Sequence, residues 1–334
     1  MTRLVCLLSL FTCAAICARP QINHTGTTGV LASGQNETQE AQETQDAHEA
    51  QTTRGIIPAE FVKARPVKGH APTHTAAAGA GRPQYHRTSG TPVAATANLA
   101  QLGLTMWRLR PATGADTGAR LIVQKESETI EFVPERLPSD APLHIGDRIR
   151  MSFESPRKGY LYVIDREQFA DGNLGEPVLI FPTTRTRDGD NQVAAGKLIE
   201  IPAQEDQPNY FTLQQSRLKD AAQTGEMLTV IVADKPLEGI TIGPKALTLE
   251  TGQVQQWEQQ WRARTEIFDL TGGRGKTWTR AEQEAGADGT RQLTQEDPEP
   301  QTIYRVALKS GAPLLVNVGL RYGPMKQPPS KIRR

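Results

Sequence analysis

Cysteine is the first absence. The chain holds three, Cys6, Cys13 and Cys17, and none after residue 17 of 334. A body without thiols makes no disulfide, offers no sulfur nucleophile and ligates no zinc through sulfur. It must hold together by burial. Histidine is nearly as scarce where it would count. Of the six, at 24, 48, 70, 74, 86 and 144, only His144 lies in the part with regular patterning. A Ser-His-Asp triad would depend on that one residue, and a turn histidine at the mouth of a strand is the simpler reading. His70 and His74 would hold a metal weakly at best in a polar arm without fixed geometry. Bulk charge is also lacking: the net value is +1, so no field selects nucleic acid or an anionic membrane. Past residue 17 there is no long apolar run, and no transmembrane segment is expected after signal removal.

The apolar run that is present opens the chain. Arg3 precedes a nearly unbroken stretch from Leu4 to Cys17, and small residues Ala14, Ala15 and Ala18 close it before Arg19-Pro20. This is the pattern of an export signal over residues 1–18, so the protein is expected outside the cytoplasm: periplasmic, at the cell surface or secreted. A lipid anchor at Cys13 or Cys17 is disfavoured, because Phe11 and Ile16 occupy positions where small residues are usual. Residues 19–95 are rich in Thr, Gln, Ala, Gly and Glu without apolar periodicity. They read as a disordered arm, since they bury too little to offset the entropy of ordering. Asn23-His24-Thr25 and Asn36-Glu37-Thr38 match a glycosylation pattern that matters only in a eukaryotic secretory route.

From about residue 96 to 322 the pattern is that of strands. Leu104–Leu109, Ala119–Val123, Thr129–Val133, Arg148–Phe153, Gly159–Ile164, Val178–Phe181, Lys197–Ile201, Tyr210–Leu213 and Met227–Ala233 are short runs separated by turn residues. Ala170-Asp171-Gly172-Asn173 is a hairpin signal. Helical crossovers are missing between the runs, which argues against a parallel sheet. The expected fold is mainly β: a Greek-key-like antiparallel β-sandwich with one amphipathic helix, preceded by the disordered arm. The helix is placed at about 251–265, where Val254, Trp257 and Trp261 share a face that docks on the sheet or forms an aromatic platform, docking being the favoured reading. Residues 272–300 read as a long polar loop, residues 303–320 as a C-terminal hairpin and residues 323–334 as a basic tail.

Three clusters stand out together: Ile145-Gly146-Asp147 opening a strand, Gly159-Tyr160-Leu161-Tyr162-Val163, and Leu179-Ile180-Phe181-Pro182. Asn191, Ala195-Gly196, Ile201-Pro202 and Gly225-Glu226 leading to Asp234-Lys235-Pro236 follow in order. Over residues 143–236 the chain resembles a bacterial family, the domain of unknown function numbered 4384. The resemblance implies an accessory module of exported or multidomain bacterial proteins. The family assigns no catalytic residues, so none carries over.

The chemistry-bearing residues are few. Gly272-Gly273-Arg274-Gly275-Lys276-Thr277 looks like the end of a phosphate loop, but Leu270 stands where the first glycine belongs, and the acidic strand end at Asp234 comes before the loop. Asp188-Gly189-Asp190-Asn191 offers oxygens to calcium but lacks the bidentate Glu, and a turn explains it equally. A glycosidase-like pair such as Asp165 with Glu176 is an alternative that only spatial separation decides. The loop cations Arg157, Lys158, Arg166, Arg185 and Arg187 would gather at sandwich ends. Arg157, Lys158, Arg185, Arg187, Asp188 and Asp190 are therefore the expected interaction residues. No cofactor, metal or catalytic residue is expected. The function expected is a non-catalytic envelope module that binds a protein or polysaccharide, and not nucleic acid, through loops or an edge strand. The alternatives are a carboxylate-dependent hydrolase of glycans and a structural assembly protein.

Overall fold

The period-2 alternation of the sequence becomes two stacked antiparallel sheets. The computed structural model describes residues 60–68, 83–90, 92–93, 98–125, 128–216, 222–287 and 291–323. The export segment, both glycosylation sequences, His24, His48, His70, His74 and the tail from residue 324 lie outside the described residues. The strands are β1 (Tyr85–Gly90), β2 (Leu99–Pro111), β3 (Leu121–Lys125), β4 (Glu128–Leu137), β5 (Arg148–Glu154), β6 (Gly159–Phe169), β7 (Val178–Phe181), β8 (Gln192–Val193), β9 (Ile199–Ile201), β10 (Phe211–Thr212), β11 (Gln223–Ala233) and β12 (Leu247–Thr248). Helix α1 (Thr251–Trp261), β13 (Thr265–Leu270), α2 (Arg280–Gly286), β14 (Thr302–Ala307) and β15 (Leu314–Arg321) complete the order.

The first sheet runs β1-β13-β14-β2-β4-β3, and β5 lies on the other side of β2 with β9 and β10 beyond it. The second runs β12-β7-β6-β11-β15, with β8 beside the start of β6. Alternate residues face each other across the gap. Leu102, Leu104, Ile149, Met151, Phe153, Tyr304 and Val306 come from one sheet. Leu161, Val163, Leu228, Val230, Val232, Leu314 and Val316 come from the other. Each is buried, and together they form the main core that a thiol-free body requires. No helix among the described residues is long and apolar enough to cross a membrane.

Four expectations need correction. Residues 60–68 and 85–90, assigned by composition to the arm, are packed: Phe61 and Tyr85 join Phe268 and Ile303 in a buried cluster, and β1 pairs with β13. A few apolar residues suffice when a preformed sheet face receives them, and a composition average over the arm hides them. The 272–300 stretch is not a bare loop. Thr279 and Glu282 form a reciprocal capping box that starts α2. Helix α1 ends at Trp261 rather than 265, because the chain turns directly into β13. Finally, β14 and β15 are not a hairpin but lie in different sheets, because both carry an apolar face and those faces oppose each other across the core.

The outer face of the first sheet buries charge. Arg150, Ser152 and Glu154 alternate with Ile149, Met151 and Phe153 on β5, so a solvated face would be the simple expectation. Instead the segments 60–68 and 271–300 cover it. The Arg65 guanidinium donates to both Glu154 oxygens at 2.8 and 2.7 Å, and to the backbone carbonyls of Thr294, Asp297 and Pro298. Arg150 donates to Glu200 at 2.8 Å, and Arg136 pairs with Glu282 on α2. Arg136 lies over the Trp107 ring and Arg150 over that of Trp278. Such pairs offset desolvation only when complete. Arg65→Ala therefore strands Glu154 and is expected to cost about 3–5 kcal/mol in urea unfolding of the full chain. Arg65→Met with Glu154→Leu recovers most of that loss. A cost below about 1 kcal/mol for the single change would show that the 60–68 segment does not anchor the sheet.

Candidate functional site

The inner faces of β6 and β11 change character at one end. On β6 the inward positions run Leu161, Val163, Asp165, Glu167; on β11 they run Val232, Val230, Leu228, Glu226. Glu226 stands directly opposite Glu167, and Asp165 opposite Leu228. Directly opposed Cβ atoms lie about 4.5–5.5 Å apart and diagonal ones about 7–8 Å, so the three carboxylates of Asp165, Glu167 and Glu226 crowd together. Like charges in such register repel.

These acids form one wall of a cleft of about 690 Å³ between the sheets. Glu176 stands at its mouth, and the floor is aliphatic, with Ile149, Met151, Val178, Ile180, Leu213 and Leu228. No Lys, Arg or His lines it among the described residues. The intervening Arg166 points to the opposite face of the sheet, where it binds Glu258 and Thr229. The Glu226 Oε1 atom accepts from the Tyr322 hydroxyl at 2.6 Å and the Gln223 amide at 2.7 Å. Glu226 Oε2 and Asp165 Oδ1 are buried without a hydrogen-bond partner among the described residues.

Burial, and then the charge of Asp165, push the Glu226 carboxyl up to about 7. Burial likewise raises Asp165 to about 6, against the pull of the Arg166 backbone N–H. Burial and the hydrogen bond to Glu226 hold the Tyr322 hydroxyl well above its ordinary value. Near neutral pH, Glu226 and Asp165 thus titrate beside spare acceptor oxygens over an apolar floor. Among the described residues no three His, Cys, Asp or Glu side chains group so as to hold a metal. The arrangement can instead accept hydrogen bonds from an organic cation whose stem covers the floor.

The expected interaction residues sit at the other end of β6. Arg157 pairs with Asp234, and Lys158 adjoins it in the β5–β6 turn. Arg185 donates to the Gln207 carbonyl, and Asp188 occupies a left-handed backbone position. Arg187 lies 4.0 Å from Asp190, which also accepts from Lys197 at 2.8 Å. Asn191 donates to the Leu161 carbonyl, which commits the proposed calcium loop to structure. In the glycine-rich turn, the N–H groups of Gly273, Gly275 and Lys276 are bonded to the carbonyls of Leu270, Arg136 and Gly273, so they cannot cradle phosphate. His144 has Asp147 at 3.7 Å, with no hydroxyl nucleophile bonded to its ring among the described residues. His86 is on β1 rather than in a loose arm. Asp165 and Glu176, paired speculatively from sequence, do line one cleft. Glu167, Glu226 and Tyr322 were missed. Their signal was carboxylates continuing the apolar stripe of two strands.

The class defined by these features is an antiparallel β-sandwich with a carboxylate-walled cleft between its sheets. Part of the chain that builds it is similar to a known family: the family model described as domain of unknown function (DUF4384) matches residues 143–233. That span holds β5 to β11, hence Asp165, Glu167, Glu226 and most of the floor, but neither Tyr322 nor α1. No curated protein and no solved structure matches the chain.

Two carboxyls with folded-state values above their unfolded ones hold extra protons when folded. Between about pH 4.5 and 7 the folded state binds more protons than the unfolded one, so stability falls as pH rises through that window and levels above it. Glu226→Gln removes part of this penalty. It is expected to stabilise the protein by about 1 kcal/mol at pH 8, after discounting for partial exposure, and by little at pH 4.5. Thermal melts across that range check it, and equal shifts at both ends would contradict the burial of an ionised Glu226.

Proposed function

We propose that the protein is an exported, non-catalytic interaction module of the cell envelope whose cleft takes a lysine or arginine side chain of a partner protein. Export rests on the character of residues 1–18. The observation that carries the ligand class is that, among the described residues, unsatisfied carboxylate oxygens meet an aliphatic floor with no cation in the lining. A lysine or arginine stem covers apolar surface while its head seeks acceptors. An extended partner would reach the cleft beside the short strand β10.

The test is calorimetric titration of the full chain with acetylated pentalysine amide in low salt. Binding is expected at pH 8, weakening toward pH 5 as Glu226 and Asp165 take up protons. Asp165→Asn with Glu226→Gln reduces affinity at least tenfold. Arg217 and Lys219 lie in 217–221, outside the described residues. Replacing both by Ser leaves affinity within twofold if the cleft serves a partner; a tenfold gain would make the chain's own cations the occupants and overturn the reading.

A glycan hydrolase is the second reading, favoured by the near-neutral acids Glu226 and Asp165 in one cleft. The aliphatic floor speaks against it, since sugar rings need polar partners along their edges. Release of reducing ends from oligosaccharides by the wild type, abolished in Glu226→Gln, would place this reading first.

A further inference from the structure

A second groove, of about 610 Å³, lies along α1, away from the acidic cleft. The helix docks on the second sheet through Val254, fully buried, and through Glu258, which Arg166 holds. One helical step round, the i, i+3, i+4, i+7, i+8 positions Gln253, Gln256, Trp257, Gln260 and Trp261 all face the groove. The two indoles stack nearly parallel, with centroids 5.7 Å apart and 9° between planes, and both are half-buried. Both rings also pack against the outer cluster of the second sheet, which is the docking expected for this stripe. No hydrogen bond engages either indole N–H or any of the three glutamine side-chain amides among the described residues. Exposed Glu238 adds acceptor oxygens on the facing wall.

We infer that this groove binds a glycan chain of equatorially substituted pyranoses. Such rings present flat C–H faces, which the negative face of an indole attracts. Their edges carry hydroxyls that donate and accept at once, which matches free amides and a carboxylate. The competing aromatic-groove ligand, a proline-rich peptide, offers carbonyl acceptors and no N–H at proline. It leaves the Glu238 carboxylate and the amide oxygens without donors. The wall chemistry therefore favours the sugar.

Tryptophan fluorescence is a selective probe, because the remaining indoles, Trp107 and Trp278, are 1% and 2% exposed on the far sheet. The full chain is titrated with chitohexaose, cellohexaose and decaproline, with calorimetry alongside. Either hexasaccharide is expected to bind and change the emission. Trp257→Ala or Trp261→Ala weakens that binding at least tenfold. Because α1 rests partly on these rings, Gln256→Ala with Gln260→Ala serves as the variant that spares the packing; both positions are exposed, and a loss of threefold or more is expected. The Asp165→Asn, Glu226→Gln protein binds the sugars unchanged, which separates this site from the cleft. No binding of either hexasaccharide at millimolar concentration by the folded wild type overturns the inference. So does tighter binding of decaproline, or sugar binding that the glutamine pair does not affect.

Discussion

The contact between the inner faces of the two sheets is what the structure depends on. With no disulfide available beyond residue 17, the layers are joined by interdigitated Leu, Val, Ile, Met and Phe side chains, and the seam is apolar along most of its length. The same alternation that builds the seam also ends it. Where β6 and β11 put Asp165, Glu167 and Glu226 on the inward side, the sheets cannot close without burying like charges. The cleft is thus a consequence of strand register, and its floor is the end of the core itself.

The outer faces follow a different rule. A sandwich of this kind commonly shows water to its outer faces, but here both are covered in part, while outward positions of β15 such as Asn317 and Arg321 stay exposed. Helix α1 lies on one, and the 60–68 and 271–300 segments lie on the other. The cover on the first sheet is attached through charge: Arg65, Arg136 and Arg150 each meet a carboxylate, and two of them also rest on a tryptophan ring. An ion pair buried this way is weak as net stabilisation but strict as register, because any other docking would leave a bare charge. That strictness gives two irregular segments one position each.

Strand existence was legible in the sequence because β-branched and aromatic runs such as Gly159–Ile164 and Met227–Ala233 carry the period directly. Partnership was not. Ile303–Leu308 and Leu314–Leu320 read as neighbours because a short turn joins them, yet each is amphipathic, and the shared core drew them into opposite layers. The cover over the polar face of β5 was not legible either, because a single strand cannot show that Arg150 and Glu154 meet Glu200 and Arg65, far apart in the chain. For the site, one member of the wall, Asp165, was named from sequence, as an example of a carboxylate pair with Glu176. Glu226 needed the β6–β11 register, which no local pattern encodes.

One strand ties the two candidate surfaces together. Along β6, Asp165 and Glu167 face the cleft while Arg166 between them faces outward and holds Glu258 of α1, the helix that carries Trp257 and Trp261. The alternation that keeps Arg166 from neutralising the acidic wall is the same one that delivers it to the helix. Reversing the strand by one residue would place a cation in the cleft and two acids under α1, removing both features at once. The acidic cleft and the indole groove are therefore two faces of a single register, set by the apolar residues Leu161, Val163, Leu228 and Val230 that bury the middle of the sheet.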